Sequence, residues 1–97
     1  MLDYIFFTHR DAGQTADEDW AGYIAGLQKA GVFQGGSAIG PGVCVRQEGS
    51  APSTTDHLAG FIRVQAADLE HARRLLIGHP GYEAGGTVEI RELPRTD

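Results

Sequence analysis

A chain of 97 residues, 41% apolar, has the length of one domain and enough apolar material to fold, with only a limited core. Its net charge of −5 argues against a nucleic-acid partner, because phosphate binding needs a basic stripe and none is present. The lone cysteine, Cys44, cannot close an internal disulfide, and no run approaches the roughly 20 apolar residues of a membrane span; with no signal h-region at Met1–Thr8, a cytoplasmic protein without a membrane partner is expected.

Leu2–His9 is apolar on both alternating faces, with Leu2, Tyr4 and Phe6 on one and Ile5 and Phe7 on the other, which predicts a central strand covered on both sides. Thr15 and Glu18 have capping-box spacing and predict a helix from Thr15 to about Ala30. Trp20, Tyr23, Ile24 and Leu27 form its apolar stripe, and Gly31 supplies the left-handed residue beyond it. Gly22 and Gly26 on that helix suggest close backbone packing against the sheet. Val32–Ile39 reads as a second strand, bulged or bent at Gly35-Gly36. Val43–Arg46 continues as an extended arm, with Cys44 expected as a buried small hydrophobe, and Gln47–Thr55 is a loop.

His57–Pro80 then reads as one strand feeding one amphipathic helix. Leu58, Gly60, Ile62 and Val64 alternate with Ala59, Phe61, Arg63 and Gln65. Leu69, Ala72, Leu75 and Leu76 fall on one helical stripe, and Gly78 with Pro80 stops it. His79–Gly86 is expected as a connecting loop and Thr87–Leu93 as the last strand, with Val88 and Ile90 inward.

The order β-α-β-β-α-β predicts one α+β domain over residues 1–97, a ferredoxin-like antiparallel sheet with both helices on one face. The other face would carry Phe61 with either Tyr4 and Phe6 or Ile5 and Phe7. Such a patch is rare on a monomer, so a homodimer packed sheet to sheet, a dimeric α+β barrel with a pocket in each half, is the expected assembly.

The run Trp20-x2-Tyr23-x3-Leu27-x3-Gly31, then Gly35-Gly36-x2-Ile39-x-Pro41 and Val45-Arg46, resembles the YCII-related, DGPF-type proteins. Gly60-Phe61, Ala66-Ala67-Asp68-Leu69-x2-Ala72, His79-Pro80 and Val88-Glu89-Ile90-Arg91 extend the resemblance over nearly the whole chain. It implies a dimeric α+β barrel, in a family where one member is implicated in dehydrochlorination of an aromatic breakdown product and a His–Asp pair is the suspected catalytic centre. Here the helix position of the family histidine is Trp20, and the aspartate before a proline is His79. Ser50–Asp56 occupies the place of the DGPF signature.

Two residues are candidates for catalysis. His79 titrates in the right range for a general acid or base, against a helix C-cap as the plain reading. In the catalytic role it should face the cleft near Trp20, with Asp56, Glu83 or a backbone carbonyl fixing its tautomer; His79→Asn keeps the size and one hydrogen bond, so folding is expected to change little. Asp56 is a candidate partner for His79 or His9. Candidate ligand-binding residues are His9, which with Arg10 ends the first strand where a pocket should open, Trp20 and Phe61 as pocket walls, and Arg46 and Arg63 for a planar anion. No metal-ligand spacing is present, so neither a metal nor another cofactor is expected. The function expected is binding of a small aromatic or anionic molecule, with cofactor-free lyase or dehydrochlorinase-like acid–base chemistry; the alternative is a non-catalytic accessory or small-molecule-binding homodimer.

Overall fold

Alternation along the first strand decides which side of the sheet holds the core. In the computed structural model, which describes residues 1–95, β1 (Leu2–His9) buries Tyr4, Phe6 and Thr8 on one side and leaves Ile5 and Phe7 half-buried on the other. β3 (Leu58–Ala66) runs antiparallel to it, pairing Tyr4 with Val64 and Phe6 with Ile62, so the same phase is inward on both strands. β2 (Phe33–Ala38) pairs with β3 and β4 (Val88–Leu93) with β1, giving the order β2-β3-β1-β4 with every neighbour antiparallel. That is the ferredoxin-like α+β arrangement, with β1 and β3 central as their two-sided apolar sequences require.

Helix α1 (Asp17–Lys29) lays Leu27 into the core, with Trp20, Tyr23 and Ile24 partly buried against it, and α2 (Leu69–Arg74) adds Ala72. Val32 and Leu76 complete the cluster around Phe6 and Val64, both fully buried. The opposite face of the sheet carries Phe7 beside Phe61 and Ile5 beside Arg63, which settles the face choice in favour of Ile5 and Phe7.

Local structure departs from the sequence expectation at several places. The N-cap of α1 is Ala16 with no side-chain cap, because the Thr15 hydroxyl instead accepts from the Trp20 indole Nε1–H at 3.0 Å. Nothing lies within 4 Å of a Cβ built at Gly22 or Gly26, so neither mediates close packing. Leu69 is exposed, since α2 begins at that residue and only its later positions turn inward. Cys44 is exposed in the loop between β2 and β3, its thiol 3.6 Å from the Ser53 carbonyl oxygen, and the arm Val43–Arg46 forms no strand. The bulge in β2 is real: Phe33 pairs with Val64 and Gly35 with Arg63, leaving Gln34 extra, and Gly35 takes φ +124.

The stretch expected as a loop after Gly78 contains a third helix, α3 (Pro80–Glu83), with His79 as its N-cap. Proline at the first helical position costs nothing, because that N–H is unused and φ is already set. The residue before a proline is driven to extended backbone, which is the N-cap conformation, and His79 adopts φ −63 and ψ 118. Pro80 therefore opens a helix as well as closing the one before it. Among the described residues no helix is long and apolar enough to cross a membrane.

Candidate functional site

Where β1 ends, the sheet, α1 and α3 enclose a cleft of about 720 Å³. Trp20 and Ile24 of α1 form one wall, and Phe33, Gly36 and Ser37 of β2 with Gly60 and Phe61 of β3 form the other. Thr8, His9 and Arg10 line its end, with Gly81 of α3 nearby. Most of this surface is apolar, with few polar groups converging on it, the usual build of a small-molecule site.

The most buried polar side chain in the neighbourhood is His79, which is 0% exposed. Its Nδ1 accepts from the Tyr82 backbone N–H at 3.1 Å, capping α3. A neutral ring whose Nδ1 accepts must carry its hydrogen on Nε2, so the 3.3 Å contact to Thr8 Oγ1 is an Nε2–H donation to the hydroxyl. Trp20 and Tyr23 meet the ring edge-on, with centroids 4.9 and 5.2 Å away. Burial holds the imidazole below its ordinary value, opposed by the backbone hydrogen bond and the Glu83 carboxylate, so the ring is neutral near pH 7. The Tyr23 hydroxyl donates to the Leu75 carbonyl at 2.6 Å, and burial pushes its phenol far up. Thr8, once it has accepted from His79, keeps its own O–H to donate, and it lines the cleft.

The tautomer of His79 is thus fixed by a backbone N–H rather than by Asp56, Glu83 or a carbonyl, and the ring caps the start of α3 rather than the end of α2. Glu83 Oε1 accepts from Gly78 N at 2.9 Å instead. The cleft brings together Trp20, His9 and Phe61, and His79 reaches it through Thr8. Asp56, Arg46 and Arg63 are exposed and do not line it. The backbone carbonyl of Asp56 accepts from Arg10 Nε at 3.0 Å, and Arg46 NH1 donates to the Ser50 carbonyl at 3.3 Å. Arg63 NH2 donates to the Gln34 carbonyl at 2.7 Å, so its guanidinium secures the bulge of β2.

Thr8 is a cleft residue that the sequence reading passed over, whereas Arg10 is read there with His9 at the pocket end of the first strand. Thr8 had a signal: it is the one polar side chain in the buried phase of β1, where Tyr4 and Phe6 precede it, and a buried hydroxyl demands a partner. Among the described residues no group of three or more His, Cys, Asp or Glu is disposed to hold a metal ion.

The sequence matches the YCII-related domain over residues 4–96. No curated protein matches it. Among solved structures, the chain is similar to 5-chloro-2-hydroxyhydroquinone dehydrochlorinase from Burkholderia phenoliruptrix AC1100, in complex with 2,5-dihydroxybenzoquinone, at TM-score 0.59 and 18% identity over 99% of this chain and 96% of that one.

Proposed function

Because this chain belongs to the YCII-related domain family, we propose that it binds a small planar aromatic molecule bearing ring oxygens in the cleft beside Trp20, with Thr8 as the polar anchor. The observation that carries this reading is the Thr8–His79 pair: a buried, neutral imidazole with a fixed tautomer turns one hydroxyl into a donor facing an otherwise apolar cleft. The structural neighbour, which has the same fold, was solved with a dihydroxybenzoquinone, a ligand of that chemistry. His79 serves in this reading as the group that orients Thr8. Its Nδ1 lone pair is spent on the Tyr82 N–H, so it accepts no further proton without uncapping α3, and on His79 alone the accessory-binder alternative is favoured.

Trp20 is the chain's only tryptophan and lines the cleft, so its fluorescence reports occupancy. Titration with 2,5-dihydroxybenzoquinone is expected to quench it saturably. Thr8→Val should weaken binding about tenfold, the weight of one hydrogen bond, while Thr8→Ser retains it. Linear, unsaturable quenching, or equal affinity in Thr8→Val, would contradict the assignment.

Assembly follows the same reading: a second copy covers the open sheet face and closes an α+β barrel. Ile5, Phe7 and Phe61 support it, as a half-buried apolar cluster that one chain leaves facing outward. Sedimentation is expected to show twice the chain mass at micromolar concentration, and a stable monomer there would overturn it.

A further inference from the structure

A second histidine at the cleft is arranged in the opposite way to His79. His9 lines the cleft and closes β1, its backbone N–H donating to the Thr87 carbonyl at 3.0 Å. On the open side of the sheet, Glu89 of β4 lies directly across from Phe7, two residues before His9, and its Oε1 is 3.2 Å from His9 Nε2. The other oxygen, Oε2, accepts from Arg91 NH1 at 3.1 Å, so the carboxylate is held at both ends. The His57 ring meets His9 edge-on, with centroids 4.7 Å apart. The side chains are partly buried, His9 at 20% exposure and Glu89 at 37%.

We propose that His9 is the general base of this cleft and Glu89 its positioning residue, acting on a phenolic hydroxyl of the bound ring; the assignment rests on the aromatic-ligand reading above. A carboxylate accepts only, so Glu89 requires the hydrogen of the neutral His9 ring on Nε2, leaving the lone pair on Nδ1. Among the described residues Nδ1 of His9 makes no hydrogen bond, whereas both ring nitrogens of His79 are engaged. The step is a proton transfer. The ligand O–H bond breaks, its electron pair stays on oxygen as phenolate, and the proton forms an N–H bond at Nδ1. The imidazolium so formed is stabilised by Glu89, whose carboxyl the hydrogen bond from His9, and then Arg91, hold below the usual carboxylate range. The other charged groups around the pair are Arg10, which continues β1 into the cleft, and Asp11, whose carboxylate is held by the Thr87 N–H and hydroxyl at 2.8 and 2.6 Å. The Arg10 guanidinium, donating to the Asp56 and Ile39 carbonyls, adds positive charge to the same end of the cleft. The sequence alone conceals the pairing, because His9 and Glu89 are 80 positions apart and meet only through β1–β4 register.

The test uses 4-nitrocatechol, a phenol whose ionised form absorbs at longer wavelength than its neutral form. Trp20 quenching reads occupancy of the cleft, and visible absorbance of the bound probe reads its ionisation. In the unaltered protein the bound probe is expected to be more acidic than the free probe by about tenfold in its ionisation constant. His9→Gln and Glu89→Gln should keep saturable quenching and lose that gain; Glu89→Gln keeps an acceptor oxygen near Nε2 and removes only the charge. Saturable quenching with the same bound-probe spectrum in all three proteins overturns the dyad and leaves the cleft reading standing. No saturable quenching in the unaltered protein overturns the cleft reading, and the dyad falls with it.

Discussion

Replacing His79 with alanine is expected to destabilise the protein by about 3–4 kcal/mol, the combined weight of a buried ring lost to a cavity and a helix cap removed. The ring is fully buried between Trp20 and Tyr23, caps α3 through Tyr82 N and donates to Thr8, so four groups lose a partner together. His79→Asn should cost about 1 kcal/mol less, since an amide oxygen can take over the cap while the ring packing and the hydrogen bond to Thr8 are lost. The expectation that asparagine would be nearly silent rested on its keeping the size and one hydrogen bond, and full burial with two ring hydrogen bonds reverses it. Urea midpoints for the three proteins give the comparison; a cost below about 1 kcal/mol for alanine would mean the neighbourhood collapses without the ring.

The same residue sets a pH dependence whose sign is fixed. Its folded value lies below the ordinary 6.5, so the unfolded chain takes up the proton first as pH falls. Stability is therefore full above about pH 6.5 and is lost as pH drops through the folded value. Asp3, Asp11 and Glu89 are held below their ordinary values by hydrogen bonds, from Arg95, Thr87 and His9 foremost, so what they contribute is lost only at lower pH, below those ordinary values. Between pH 7 and pH 5 the slope of stability against pH should be shallower in His79→Asn than in the unaltered protein.

Gly36→Ala is expected to cost about 2–3 kcal/mol and to displace one wall of the cleft, whereas Gly22→Ala should stabilise by up to about 1 kcal/mol. A Cβ at Gly36 would lie 2.6 Å from the Phe61 carbonyl oxygen and 3.2 Å from Ile62 Cα. Both belong to the backbone of β3, which is pinned between β2 and β1 and cannot yield, so the edge strand β2 must move outward and carry the Gly36–Ala38 wall with it. A Cβ at Gly22 meets nothing within 4 Å, so there the only effect is helix propensity. Denaturation of both variants with amide exchange along β2 tests the pair, and equal signs would contradict it.

These cases show what the sequence could and could not carry. The apolar run on both phases of Leu2–His9 and the period-2 alternation of Leu58–Ala66 marked both central strands. The choice of core face was not legible, since both phases of β1 are apolar and the tie is broken only by where the helices pack. Gly22, Gly26 and Gly36 look alike in sequence and differ only in what lies across from them. His9 was readable as a cleft residue from its place at the end of β1, Trp20 from the apolar stripe of α1 and Phe61 from its place in the sheet. Asp56 was chosen as a partner for a histidine and Arg46 and Arg63 as anion holders, and each has its backbone or side chain committed to a neighbouring segment. Pro80 was read as a stop when His79-Pro80 also satisfies the start of α3.

The central claim is that a planar oxygenated ring occupies the cleft with an oxygen at Thr8. Amide chemical shifts followed by NMR during titration with 2,5-dihydroxybenzoquinone test it most directly. Saturable shifts are expected at Thr8, Gly36–Ala38, Gly60–Ile62 and Gly81, and at the Trp20 indole N–H, while Gly49 and α2 stay unmoved. Saturable shifts confined to α2 or to the loop around Gly49, with the Thr8 and Gly81 amides unmoved, would contradict the account.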